Sequence, residues 1–430
     1  MKFSITTLGC KVNAYESQYY AQQLEQHGFQ QVDPSQPCDL FIVNSCTVTN
    51  TAASKSRQKI HSLKRANPNA LCVVVGCYVQ TIDEKERETL GADLIVGAKY
   101  KDRLLDMILD LVSSHQSQDM VENVSCLSTF ESMPIQCFES KHRAFLKIQD
   151  GCNQFCSYCT IPFARGRERS LSCDEVVSIA KQLVEKGHSE IVLTGIHTGR
   201  YQDGDIDLTS LLKRLLNETE EHVYYRISSI EITEVSDALI QLMKDNDRIC
   251  HHLHIPVQSA CNETLQRMNR PYTIEAFMDR LSYIRHEIPD ISVSTDVIVG
   301  FVQESDEEFE ITRSNLEACH FSFLHVFPYS KRDGTKASKM SGHIPGNISK
   351  ERAHILLNLS KQWRRKDMSR FDEIEVLIES KDDQGYSGYT NQYHPVSIHT
   401  NQPLQGRLKM HYASIQNETY IVEKEGIQCD

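Results

Sequence analysis

The 430-residue chain has no apolar run long enough to cross a bilayer. Its continuous hydrophobic stretches, such as residues 71–75, fall far short of the roughly 20 residues a spanning helix needs. The opening residues, Met1-Lys-Phe-Ser-Ile-Thr-Thr-Leu-Gly9, lack the apolar core of a secretory signal. A soluble cytoplasmic protein with no membrane partner, acting as a monomer, is expected. Positive charge is also in short supply. The 46 Lys and Arg face 58 Asp and Glu, a formal net charge of −12, which argues against a generally basic nucleic-acid coat. Cysteine is not lacking, but the 15 cysteines are odd in number and spread along the chain. That argues against a disulfide framework and for metal or redox chemistry.

The charge is uneven. Residues 331–370 carry eleven Lys/Arg against three acids, and residues 141–170 carry six against two. Such segments let a globally acidic protein grip a polyanion at one place; a solvated helix face is the other reading.

The hydrophobic pattern predicts an α/β protein in three parts. Strands at 2–8, 39–44, 71–75 and 92–96, with helices near 14–27 and 102–112, suit a doubly wound α/β domain over residues 1–113. Residues 114–137 have little periodicity and read as a linker. Over 138–368, strands at 144–149, 190–194, 224–230, 251–256, 292–299 and 321–326 alternate with helices, which suggests a partial (β/α)6 barrel. The segment 349–370 reads as one basic amphipathic helix with Ile355, Leu356, Leu359 and Trp363 on one face. Residues 369–430 break into five short strands, a small β-barrel.

The strongest chemical signal is Cys152-Asn-Gln-Phe-Cys156-Ser-Tyr-Cys159. Three thiolates at this spacing, with no fourth, hold three irons of a cubane cluster and leave the last one open to a small molecule. Structural zinc is the rival reading, but it asks for four ligands. Tyr158, inside the motif, stands where it could stack near a bound ligand; packing against the loop is its plainer role. A second set is discontinuous. Cys10, Cys46 and Cys77 each follow a predicted strand of the first domain, and parallel strands bring their C-terminal ends to one edge. Three cysteines distant in sequence are therefore expected to converge, with Gly9 and Gly76 letting the backbone come close. Taken singly, each could be a buried inert cysteine. The other nine (38, 72, 126, 137, 173, 250, 261, 319, 429) lack such grouping and read as structural.

The C-x-x-x-C-x-x-C motif with an aromatic before its last cysteine resembles the radical S-adenosylmethionine superfamily. Two three-cysteine sets in one chain resemble its methylthiotransferases. The resemblance spans nearly the whole chain: Thr7-Leu-Gly-Cys-Lys-Val-Asn13, Val43-Asn-Ser-Cys-Thr-Val-Thr49, Gly76-Cys-Tyr78, Arg165-Gly-Arg-Glu-Arg-Ser170, His254-Ile-Pro-Val-Gln-Ser259, Met268-Asn-Arg-Pro-Tyr-Thr273 and Phe327-Pro-Tyr-Ser330. The ending looks like the small RNA-binding barrel called a TRAM domain. The opening looks like the branch acting on threonylcarbamoyladenosine in tRNA.

The resemblance implies two 4Fe–4S clusters and S-adenosylmethionine as cofactors. The cluster on Cys152, Cys156 and Cys159 would bind S-adenosylmethionine and cleave it to a radical that takes hydrogen from C2 of the adenine at tRNA position 37. The cluster on Cys10, Cys46 and Cys77 would hold a sulfur species for insertion, and a second S-adenosylmethionine would give the methyl group. An external electron donor and a sulfur source are implied as partners. Thr194 and Gly195 stand where the family meets the methionyl amino group, and Glu231 and Gln258 where ribose and methionyl end are held. Gly300 stands on the adenine side. Each is equally readable as an ordinary barrel-rim residue. The sequence departs from the family at Val302-Gln303, where Pro-Gly is usual, and at Ile232, where Pro is expected. Residues 371–430 hold four basic residues against ten acids, poor for gripping phosphates. Arg364, Arg365 and Lys366 of the preceding helix are therefore expected to hold tRNA, and Tyr386, Tyr389 and Tyr393 to stack on bases or pack in the core. Isopentenyladenosine in tRNA or a ribosomal-protein aspartate are the alternative substrates; a non-catalytic iron–sulfur RNA-binding protein is the alternative class.

Overall fold

The computed structural model describes residues 1–138 and 142–427. The first part is a six-stranded parallel sheet. Its spatial order is Gln30–Gln31, Lys2–Thr7, Leu40–Ser45, Leu71–Gly76, Leu94–Val96 and Gln118–Met120. Leu40–Ser45 is buried along its whole length and Leu71–Gly76 nearly so, as central parallel strands covered on both faces must be. The chain first builds outward from Lys2–Thr7 and then crosses to its other side at Leu40–Ser45. That reversal opens a crevice at the strands' C-terminal ends, the usual ligand position in such sheets. Cys10 and Cys46 follow the two strands that flank it.

The stretch 114–137 is more than a linker. Gln118–Met120 pairs with Leu94–Val96 and completes the sheet. Met133 and Ile135 are buried in the main core, and Tyr15 donates its hydroxyl to the Met133 carbonyl at 2.7 Å. Three-residue strands and isolated apolar side chains leave no period to read.

The middle part is the expected open barrel. Arg143–Lys147, Glu190–Thr194 and Tyr224–Ile227 form one parallel set. His252–His254, Ser292–Val299 and Phe323–Pro328 form another, and a Tyr225–Ile249 bridge links the two. Alternation sorts the side chains. Ala144, Leu146, Ile191, Leu193, Tyr225, Leu253, Val293 and Val297 pack outward in the shared hydrophobic core. The other face, turned to the lumen, carries Arg143, Lys147, Glu190, Thr194, Arg226, His252, His254, Ser294, Asp296 and His325. A polar lumen behind an apolar wall is unusual for a structural barrel and sets up a site.

Gly346–Met368 is one helix packed on the last barrel strand. It buries Ala353, Leu356 and Met368, with Leu359 and Trp363 partly covered, while Ile355 is exposed, contrary to the face expected for it. Six strands follow, one more than expected. Their order is Arg407–His411, Glu373–Asp382, Gly385–Thr390, Pro395–His399, Thr419–Glu423 and Ser414–Gln416, around a core of Ile374, Val376, Ile398, Met410, Tyr420 and Val422.

Two buried ionic hubs join the parts. Glu16, fully buried in the first helix, accepts from Lys101 (3.1 Å), Lys147 (3.1 Å) and Arg165 (2.9 Å). Glu190, equally buried in the barrel, accepts from Arg143 (2.9 Å), Arg226 (2.8 Å) and Arg407 of the last barrel (2.7 Å). Burial alone would raise both carboxyls. Arg165, Lys101 and Lys147 outweigh it at Glu16, and Arg143, Arg226 and Arg407 at Glu190, so both stay ionised well below the usual carboxylate range.

Candidate active site between two cysteine sets

The discontinuous set converges. Gly9 has φ +108°, and a Cβ on it would lie 2.9 Å from the Cys46 Cβ and Sγ. Gly76 has φ +106°, and a Cβ there would meet the Ser45 carbonyl at 2.7 Å. Only glycine permits these turns, and they put Cys10 and Cys77 beside Cys46. The thiols sense one another. Burial first, then the charges of Cys77 and Cys10, push the Cys46 thiol up to about 11. Loss of hydration around its sulfur likewise raises Cys10, although the residue keeps solvent contact, with Arg165 opposing it and Cys77 adding to it.

The local set sits on the loop after the first barrel strand. Gln154 N–H donates to Cys152 Sγ and Ile161 N–H to Cys159 Sγ, each at 3.4 Å. Burial and the neighbouring Cys156 push Cys159 up to about 12. Two sets of three thiols, each with backbone or cationic donors aimed at sulfur, suit clusters that displace the thiol protons on binding.

Arg165, six residues after Cys159, reaches the discontinuous set. Its Nε lies 3.2 Å from Cys77 Sγ, while its other nitrogens reach Glu16, Asp150 and Asn13. Sequence reasoning passed over it as a site residue, although its motif had been singled out. His197 was missed altogether. Its Nδ1 lies 3.5 Å from Cys152 Sγ and 3.3 Å from Glu168, and its Nε2 lies 2.8 Å from Glu234. Burial opposes its charge, but these partners push it up to about 12. A lone histidine after Thr194-Gly195-Ile196 gives no signal of its own in a sequence.

A cavity of about 200 Å³ opens beside the local set, with Cys159 in its lining. Val48 and Thr49, just after Cys46, line one wall; Tyr158, Cys159, Gln258, Asp296, Ile298 and Phe327 line the other. Val48 is 52% and Phe327 43% exposed, so the mouth is apolar and open.

The remaining expected residues divide. Tyr158 and Gln258 border the cavity. Thr194 is buried, and Gly195 packs tightly on Gln149. Glu231 is ion-paired to Arg270, whose Nη1 lies 3.5 Å from Cys156 Sγ. Gly300 is pressed against Ser349 of the long helix and donates its N–H to Glu304 at 2.9 Å, so its visible work is seating that helix. At the departure from Pro-Gly, Gln303 has φ +63° and Val302 is fully buried. Gln303 takes the left-handed turn without a glycine, held by its N–H to the Gly342 carbonyl (2.8 Å) and its side chain to Ser341 (3.0 Å). Ile232 opens a short 3-10 turn and is buried.

Arg365 and Lys366 are exposed, but Arg364 turns inward, 4.4 Å from the centre of the Phe323 ring. The basic patch is therefore smaller than expected. Tyr386 packs in the last barrel's core, whereas Tyr389 and Tyr393 stack at 4.9 Å over the barrel lumen with Arg143 on both rings. Lys11 Nζ approaches Tyr393 at 5.7 Å, and burial with Arg226 and Arg143 brings it down to about 8.

An open parallel barrel with a three-thiol loop at its strand ends defines a radical S-adenosylmethionine fold. Residues 146–315 match the radical SAM superfamily, and residues 2–97 match Uncharacterized protein family UPF0004. A solved structure of the radical S-adenosylmethionine methyltransferase TsrM from Kitasatospora setae superposes with a TM-score of 0.55 at 13% identity, over 76% of this chain and 72% of that one. Threonylcarbamoyladenosine tRNA methylthiotransferase MtaB of Bacillus subtilis (strain 168) is 40% identical over 94% of this chain and 91% of its own. The tRNA-2-methylthio-N(6)-dimethylallyladenosine synthase of Thermodesulfovibrio yellowstonii is 32% identical over 89% of each. The chain belongs to the radical SAM methylthiotransferase family. It is an enzyme whose cofactors are two 4Fe–4S clusters and S-adenosylmethionine, and no helix among the described residues is long and apolar enough to cross a membrane.

Proposed function

We propose that the protein is a tRNA methylthiotransferase that converts N6-threonylcarbamoyladenosine next to the anticodon to its 2-methylthio derivative. The observation that carries this reading is the cavity lined by Cys159 of one set and by Val48 and Thr49, which follow Cys46 of the other. A base in that cavity stands between a group that opens its C–H bond and a group that supplies sulfur. When bound, the clusters and S-adenosylmethionine supply the one-electron, sulfur-transfer and methyl-transfer chemistry.

The chain's own residues do the rest. Cys152, Cys156 and Cys159 would hold one cluster, and Cys10, Cys46 and Cys77 the other. Arg165 places a positive charge against Cys77 and is itself fixed by Glu16 and Asp150. Tyr158 and Gln258, with Thr194, Gly195 and Glu231 around the rim, would orient S-adenosylmethionine. Val48 and Phe327 exclude water from the base's faces. Arg365 and Lys366 offer exposed charge to the tRNA backbone. The enzyme works in the cytoplasm as a monomer, drawing on an external electron donor and a sulfur source. Its identity with the Bacillus subtilis enzyme over nearly the full length supports this substrate.

Nucleoside mass spectrometry of a deletion strain tests the proposal. Loss of the methylthio group on threonylcarbamoyladenosine is expected. An unchanged nucleoside profile contradicts it.

A further inference from the structure

Two cations on the lumen side have no carboxylate within ion-pair distance among the described residues: Lys11 and Arg364. Nearly every other deeply placed cation here is matched, Arg165, Arg226, Arg270, Arg352 and Arg407 among them. Arg364 also has its Nε buried without a hydrogen-bond partner. A positive side chain withdrawn from water and left unpaired loses free energy unless something anionic meets it.

Both cations lie on one aromatic platform. Lys11 stands over Tyr393, and Tyr393 lies 5.1 Å from His252. His252 stacks on Phe323 at 6.2 Å, Arg364 covers Phe323 at 4.4 Å, and His325 meets Phe323 at 5.3 Å. His325 in turn faces His254 at 5.6 Å, and His254 Nε2 lies 3.3 Å from Asp296, on the cavity wall. The platform thus runs from the cavity into the lumen. Burial and the charges of Arg226 and Lys11 keep His252 unprotonated; at His325 burial leads, Asp296 opposes it, and His254, Arg364 and Lys11 add to it.

We infer that Lys11 and Arg364 form a carboxylate subsite that receives the threonyl carboxylate of the substrate's N6 substituent. The inference rests on the substrate reading above and deepens it. In adenine, C2 and C6 flank N1, so a base that presents C2 to the cysteine sets directs its N6 substituent away from them. The platform begins where such a substituent leaves the cavity. The ureido group lies on the aromatic and imidazole faces, and the carboxylate is drawn to the cations that edge the platform. An isopentenyl group offers no charge there and leaves both cations desolvated and unpaired. A site built for a charge discriminates strongly against an analogue that lacks it. Arg364 therefore serves the modified base, apart from the exposed Arg365 and Lys366 beside it.

The test is anaerobic binding of the cluster-loaded enzyme to anticodon stem-loops at fixed salt. The probes carry threonylcarbamoyladenosine, its carboxyl methyl ester, isopentenyladenosine or unmodified adenosine. The wild type is expected to prefer the free carboxylate to the methyl ester by about tenfold or more, the usual worth of a hydrogen-bonded charge. Lys11→Gln and Arg364→Gln should each remove most of that preference without weakening the unmodified stem-loop. Iron per chain is measured alongside. Should Lys11→Gln lose iron through its neighbour Cys10, Arg364→Gln decides alone. Variants that keep the wild-type ratio overturn the inference. So do variants that weaken all four RNAs alike, which marks a backbone-phosphate contact. A wild type that does not prefer threonylcarbamoyladenosine to isopentenyladenosine overturns the substrate reading, and this inference with it.

Discussion

The two cysteine sets are assembled by opposite routes. Cys152, Cys156 and Cys159 lie on one loop, whose own backbone N–H groups point at two of the sulfurs. Cys10, Cys46 and Cys77 come from three strand ends and meet only because the sheet reverses its winding there. The first set is a property of a short segment; the second is a property of a folded domain. Damage to the scaffold should therefore fall unequally on them.

Arg165→Ala should sharpen that contrast most. It leaves Glu16 and Asp150 short of a partner in a buried hub and strips the charge from Cys77, at a cost of about 3–5 kcal/mol. Thermal melts should show the loss, and iron analysis should show it concentrated in the Cys10/Cys46/Cys77 set. Equal loss from both sets breaks the comparison.

Gly76→Ala should come next. A Cβ at φ +106° and 2.7 Å from the Ser45 carbonyl costs on the order of 1–3 kcal/mol. Iron per chain should fall toward half, while reductive cleavage of S-adenosylmethionine survives. Loss of that cleavage contradicts the independence of the local set.

Acid tests the hubs beneath both sets. Glu16 and Glu190 have folded pKa values held below their unfolded ones. Their stabilisation is complete above the ordinary glutamate value of about 4.3 and is lost as pH falls through the depressed folded value. Melting temperature should drop on that acid limb, and Glu190→Gln should flatten it, as followed by circular dichroism. An unchanged limb removes Glu190 from the account. The smallest effect is expected at Gln303→Gly, which restores the family's turn residue. Relief of the left-handed strain and loss of the Ser341 contact should nearly cancel, within about 1 kcal/mol.

The same contrast explains what was legible. The local cysteine motif, the barrel's strand pattern and the strand-end placement of Cys10, Cys46 and Cys77 are all written in short segments. Gln118–Met120, Met133 and Ile135 read as a linker because three residues carry no period, and their place is fixed by a sheet edge formed elsewhere. Arg364 was grouped with Arg365 and Lys366 because they adjoin in sequence, yet a turn of about 100° per residue on a helix separates their faces. His197, Arg165 and Lys11 act on atoms supplied by other strands and domains, so no local pattern marked His197 or disclosed the partners of the other two.

Iron and sulfide analysis of two triple-alanine variants tests the central claim most directly. Replacing Cys152, Cys156 and Cys159 in one, and Cys10, Cys46 and Cys77 in the other, should each remove about half of the wild-type iron and sulfide, one cluster's worth. A Cys10/Cys46/Cys77 variant that keeps all its iron contradicts the two-cluster account.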